Sequence, residues 1–240
     1  MTGLIITSII AAILAIAFMV IRVTMKPVYG MLSKAVASVG FITVGVTAFV
    51  TASVPIPFGA PLIILGLVLG LIGDIVLDEK RIHSETDLEG TYLTSGMLSF
   101  ISGHIVYLVA ICLVAVYTFG LNLLLPLLVS GGIGVIAGPL VILLSTKVMK
   151  QNFGKHKIIA GFYGGFLMAF TVLALWLTIL NSVFLIFFLG MLFFLISDLV
   201  LSKMYFEPGQ KENKVLVVVN HSTYYAAQIL IAVWLFTLLI

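Results

Sequence analysis

Two seven-residue segments carry the most pointed chemistry in this sequence. LIGDIVL at residues 71–77 and LISDLVL at 195–201 agree at five of seven positions, and each sets one aspartate, Asp74 or Asp198, in apolar surroundings. A carboxylate at the centre of a membrane-spanning helix costs about 2.5–3.5 kcal/mol on insertion scales, so it normally faces a protein-lined cavity or a partner. Two carboxyl groups in a partly dry pocket form an acid/base kit, one donating a proton and the other activating water. The same pair would also serve a proton-coupled transporter.

Other polar side chains collect near these two. GHIVY carries His104 and Tyr107, on one helical face with Gly96, Phe100 and Gly103. NHSTYY carries His221, Tyr224 and Tyr225, with Gln228 one turn further along the same stripe. Lys34, Asp74, Tyr163, Asp198, His221, Tyr225 and Gln228 all fall in the same half of their apolar runs, with His104 nearer the middle. That is enough polarity for a water-accessible pocket. A lone helical histidine is more often a packing residue, and Tyr or Gln can serve as interhelical hydrogen-bond glue, so convergence is what singles these residues out. Asp74 and Asp78 share a helical face, which also allows the plainer reading that Asp74 only reaches for interfacial water.

Several chemistries find no support. A metal hydrolase wants His and carboxylate ligands at fixed spacing, and no paired-His motif occurs; no metal site is expected. There is no GxSxG elbow, and Ser197 beside Asp198 is a weak nucleophile candidate. Cys112 is the single cysteine, which excludes a disulfide framework. The net charge of +3 comes from lysines and arginines lying between apolar runs, so no nucleic-acid partner is expected.

The elements that must position these residues follow from composition. The chain of 240 residues is 62% hydrophobic and 9% charged, the profile of an integral membrane protein. Apolar spans are predicted at 2–22, 28–51, 57–77, 92–118, 122–145, 157–180, 182–201 and 215–239. The fold class is therefore all-α with eight transmembrane helices in a single transmembrane domain covering 1–240. The first run is too long for a signal-peptide core and reads as a retained helix. Gly66, Gly70 and Gly73, then Gly134 with Gly138 and Gly161 with Gly165, form small-residue seams suited to helix packing. The connections at 22–27, 78–91, 146–156 and 202–214 carry charge, while 52–56, 119–121 and the turn at Asn181 carry none. All lysines and arginines lie on one side, Lys34 entering its helix from there. By the positive-inside rule that side is cytoplasmic, both termini lie outside, and the pocket opens to the cytoplasm of a cell (inner) membrane. The matching aspartate segments, with the His and Tyr echo, point to a parallel duplication of four helices, 1–118 and 122–240.

Four motifs add a resemblance. GDIVL at Gly73–Leu77, GMLSFISGHIVY at Gly96–Tyr107, ISDLVL at Ile196–Leu201 and STYYAAQ at Ser222–Gln228 together resemble the YhhN-type lysoplasmalogenase family, whose eight-span layout covers the chain. The resemblance implies hydrolysis of the vinyl-ether bond of lysoplasmalogens (alkenyl lysophosphatidylcholine or -ethanolamine), giving a fatty aldehyde and a glycerophospho-headgroup without a cofactor. It implies catalytic roles for Asp74 and Asp198, and places His104, Tyr107, Tyr225 and Gln228 at further motif positions. The family's lysine has two candidates, Lys26 and Lys34, and Lys34 is preferred because it lies within the span. A lysophospholipid substrate among the membrane lipids would set its tail between helices and its headgroup near Lys34. A proton-coupled small-molecule or lipid transporter is the alternative, with a noncatalytic lipid-binding protein third. The lack of any visibly broken span leans against transport.

Overall fold

The computed structural model describes residues 2–83, 88–211 and 213–239. Its elements are eight long helices: α1 (Thr2–Thr24), α2 (Pro27–Val50), α3 (Pro61–Ile82), α4 (Glu89–Tyr117), α5 (Leu124–Lys147), α6 (Lys157–Leu180), α7 (Leu185–Phe206) and α8 (Lys214–Leu239). Each is long and apolar enough to cross a membrane, and there is no strand among the described residues. The chain is thus all-helical, as a multi-pass membrane protein would be.

Local sequence sets the helix starts. Pro27 and Pro61 occupy the first turns of α2 and α3, where a missing N–H costs nothing. Gly59, at φ +96°, interrupts the helical backbone after Pro57, so α3 begins at Pro61 and not at 57. Its other end differs more. The apolar run stops at Leu77, but the helix continues through Asp78, Glu79, Lys80 and Arg81 to Ile82. Asp74 therefore lies two turns, about 12 Å, from the helix end. Of the charged stretch at 78–91, residues 84–87 lie outside the described residues. At Asn181 the side-chain Oδ1 accepts from the Val183 N–H at 3.0 Å and starts a short 3₁₀ turn, Ser182–Phe184, so α7 proper starts at Leu185.

The helices cluster into two compact units. One comprises Met1–Gly120 with Gln228–Ile240, the other Leu121–Ala227. In the first, α1 packs on α2, α2 on α3 and α3 on α4. Phe18, Phe41, Ile63, Leu67, Ile111 and Trp234 are fully buried. Glycines let α3 and α4 interlock. A Cβ on Gly66 would fall 2.2 Å from the Tyr107 ring, and one on Gly103 would fall 3.3 Å from the Gly66 carbonyl. Gly59, in the turn before α3, has φ +96°, and a Cβ there would meet Leu113 at 2.6 Å. On the outer face of α1, Ile5, Ile9, Ile13 and Ile16 are all more than half exposed, a surface suited to lipid.

In the second unit α5 packs on α6 and α6 on α7. The seam read from the sequence is one of direct backbone contact. Cβ atoms on Gly138 and Gly165 would lie 2.7 Å from the Gly161 carbonyl and 2.6 Å from the Gly134 carbonyl. Phe170 and Phe187 join α6 to α7, their ring centroids 5.9 Å apart. The connection after α5 is fastened to the end of α7: Asn152 N–H donates to the Phe206 carbonyl at 2.7 Å, and Ser202 Oγ donates to Gln151 Oε1 at 2.9 Å.

Candidate functional site

In the first unit the polar cluster begins on α2 and α3. Lys34 is 3% exposed, and burial of an ammonium demands compensation. It finds two carboxylates one helical turn apart on α3: Lys34 Nζ lies 3.1 Å from Asp74 Oδ1 and 3.5 Å from Asp78 Oδ1. One turn along α2 from Lys34, Ser38 donates through Oγ to Asp74 Oδ2 at 2.6 Å. Both Asp74 oxygens are therefore engaged, one by a cation and one by a hydroxyl. Asp78 is as buried as Asp74, so the shared helical face turns toward Lys34 and not toward water. At the far end of the cluster, Arg22 from the last turns of α1 brings Nη1 to 3.8 Å from Asp78 Oδ2. That is an ion pair without a hydrogen bond, and Arg22 Nε and Nη1 and Asp78 Oδ2 have no hydrogen-bond partner among the described residues. Lys26, by contrast, is exposed at the N-cap of α2.

A second cluster in this unit joins α4 to α8. Tyr107 Oη donates to Gln228 Oε1 at 2.9 Å, and both residues are 1% exposed. The Tyr107 ring lies against Gly66, and the space that glycine leaves is what admits it. His104 is one turn earlier on α4, its ring centroid 6.1 Å from that of Tyr107. Its Nδ1 bonds the Phe100 carbonyl at 2.7 Å. A carbonyl only accepts, so this nitrogen carries the hydrogen.

In the second unit Tyr163 of α6 donates through Oη to Asp198 Oδ2 of α7. Both residues are half-buried. Beside Asp198 in the sequence, Ser197 is clamped to α8: Asn220 Nδ2 donates to the Ser197 carbonyl at 2.8 Å and to Ser197 Oγ at 3.0 Å. Ser197 Oγ lies 3.2 Å from the Asn220 carbonyl. Ser197 is thus committed to helix packing. His221, Tyr224 and Tyr225 are all buried on α8. The Tyr224 ring packs edge-on against both Tyr225 and Phe194, at centroid separations of 5.1 and 5.5 Å.

Of the residues singled out by sequence, Lys34 meets Asp74, Tyr107 meets Gln228, Tyr163 meets Asp198, and Tyr224 meets Tyr225. Asp74 and Asp198 fall in different units, each with its own neighbours. Four residues escaped the sequence reading of the site. Ser38 could have been found, since it lies one turn from Lys34. Asp78 was legible only as a neighbour of Asp74 on one helical face, and Arg22 and Asn220, neither of them one turn from Asp74, Asp198 or Lys34 in the sequence, gave no such signal. No group of three His, Cys, Asp or Glu side chains suited to a metal ion occurs among the described residues. Chemically, the first unit offers a carboxylate held by a cation and a hydroxyl, and the second offers a carboxyl held by a phenol.

The model of the YhhN family matches residues 32–235. No curated protein and no solved structure matches the chain.

Proposed function

The chain belongs to the YhhN family, and from that premise we propose that it is a lysoplasmalogenase, hydrolysing the vinyl-ether bond of an alkenyl lysophospholipid to a fatty aldehyde and a glycerophospho-headgroup. The observation that carries the reading is the contrast between the two aspartates. Asp74 has an ammonium at 3.1 Å and a hydroxyl at 2.6 Å, the surroundings of an ionised carboxylate. Asp198 is bonded by the Tyr163 hydroxyl, and no cation is within ion-pair distance of it among the described residues. Environments that differ in this way divide acid from base. We assign Asp198 as the proton donor and Asp74 as the carboxylate that supports the cation and accepts a proton from water. The charged helix ends are assigned to the cytoplasmic side by the distribution of lysine and arginine.

Asp198 gives its proton to the alkene carbon distal to the ether oxygen, and the electron pair of the double bond forms the new C–H bond. The oxygen shares the resulting positive charge as an oxocarbenium ion, which a carboxylate stabilises much as in glycoside hydrolysis. Water adds to the cationic carbon and loses a proton to Asp74. The hemiacetal so formed then breaks its bond to the glycerol oxygen, which takes up a proton and leaves as the alcohol. Exchange with water resets both carboxyls, and the net reaction consumes one water. Tyr163 keeps Asp198 oriented, while Lys34 and Ser38 keep Asp74 in place.

The test is turnover of alkenyl lysophosphatidylcholine by the purified protein in D2O. The expected product is aldehyde carrying one deuterium at the carbon next to the carbonyl, because the donated proton lands there. Deuterium absent from that carbon would remove the protonation step. Release of no aldehyde, with pH-driven uptake of solute into liposomes instead, would mark a transporter.

A further inference from the structure

The mechanism uses Asp74, Lys34 and Ser38 but gives no work to Asp78 or Arg22, two charged groups that are 2% and 6% exposed. Buried charges away from hydrogen-bond geometry call for an explanation. Together these side chains form a line of alternating sign, Arg22, Asp78, Lys34, Asp74, with successive separations of 3.8, 3.5 and 3.1 Å. The hydroxyl of Ser38 closes the Asp74 end. A guanidinium hydrogen-bonded to a carboxylate lies about 2.7–2.9 Å from it. The open spacing at the Arg22 end instead leaves Asp78 able to pull on Lys34.

We propose that Asp78 is a positioning residue for the reaction: it shares the Lys34 ammonium with Asp74, and Arg22 steadies it from the other side. The inference rests on the lysoplasmalogenase reading, in which Asp74 must present negative charge to a developing cation. One ammonium held by one carboxylate would neutralise it and leave the cation nothing to meet. Drawn between two carboxylates, Lys34 orients Asp74 without cancelling it. Removing Asp78 acts twice in the same direction. Lys34 settles wholly onto Asp74, and the Arg22 charge loses its partner and repels Lys34 toward Asp74.

The experiment is steady-state turnover of alkenyl lysophosphatidylcholine by Asp78→Asn, Asp78→Glu and the double variant Arg22→Met/Asp78→Asn. Asp78→Asn is expected to lower kcat about 10- to 100-fold, the order that one charge at second-neighbour distance exerts in a protein interior. KM should change less than about threefold, because a group felt only as cation develops leaves ground-state binding alone. Asp78→Glu should restore most of kcat. The double variant removes a buried cation together with its counter-charge, so it is expected to fold even where Asp78→Asn does not, and it should retain a kcat loss. A wild-type kcat in either Asn variant would overturn the proposal. So would equal losses in the Asn and Glu variants accompanied by a raised KM, the pattern of simple structural damage. If the wild-type protein itself releases no aldehyde, the functional reading falls. The charge line is then judged by unfolding alone: non-additive effects of Lys34→Met and Asp78→Asn keep Asp78 as a partner of Lys34, and additive ones dismiss it.

Discussion

Gly66→Ala probes the contact that seats Tyr107, and its cost can be worked from distances. The new Cβ would lie 2.2 Å from Tyr107 Cε1 and 2.4 Å from Cδ1. Carbon atoms rest about 3.5–4.0 Å apart, so the ring must retreat by more than about 1 Å. The ring is 1% exposed, so it cannot swing out into solvent. Overpacking of this kind costs about 1–3 kcal/mol. The same retreat stretches the 2.9 Å bond from Tyr107 Oη to Gln228 beyond hydrogen-bond range, and leaving a buried polar group unmet costs about 1–3 kcal/mol more. Replacing glycine in a helix returns up to about 1 kcal/mol. The net loss is about 1–6 kcal/mol, with the upper half favoured because so short an approach cannot be relieved by a small shift. Reversible unfolding in detergent or bicelles measures it, with Tyr107→Leu and the double variant beside it. The smaller leucine should accommodate the added methyl, so the double variant should lose less than the two single losses combined. A Gly66→Ala protein within about 0.5 kcal/mol of wild type, or strict additivity in the pair, would refute the packing argument.

Three further outcomes are expected. Tyr163→Phe removes the hydrogen bond from the phenol to Asp198; aldehyde release should fall about 10- to 100-fold while the thermal unfolding midpoint stays near wild type. Asn220→Ala strips the buried Ser197 carbonyl and hydroxyl of their shared donor and should cost about 1–3 kcal/mol in unfolding, against less than about 1 kcal/mol for Ser197→Ala, which leaves the carbonyl bond in place. Along α5, Gly138→Ala should destabilise because a Cβ there meets the Gly161 carbonyl at 2.7 Å, whereas Gly131→Ala, with nothing within 4 Å, should be neutral or stabilise by up to about 1 kcal/mol; thermal unfolding of both variants separates the two.

The sequence made the helices legible wherever apolar length decided them, and less so at their ends. Leu77 closes the apolar run on α3, but a helix needs only its own backbone hydrogen bonds to continue. The charged residues that follow find partners across the structure, Asp78 with Lys34 and Lys80 with Glu89. The glycine seam of α5 and α6 could be read because its spacing is local. Among the candidate residues, Asp74 and Asp198 announced themselves as carboxyls in apolar segments, and Lys34 as a lysine inside a span. Arg22 spoke only to topology in the sequence. Its approach to Asp78 joins α1 to α3, and no periodicity encodes a contact between distant helices. Ser197 beside Asp198 had the look of a weak nucleophile, and its engagement with Asn220 depends on α8, another distant segment.

The central claim is that Asp74 and Asp198 are both catalytic in vinyl-ether hydrolysis. The most direct measurement is aldehyde release from alkenyl lysophosphatidylcholine by purified wild-type protein, Asp74→Asn and Asp198→Asn, each first shown to be folded. Turnover by the wild type is expected, with a loss of at least about 100-fold in each variant, the scale of a missing general acid or base. Full activity in either variant would contradict the claim.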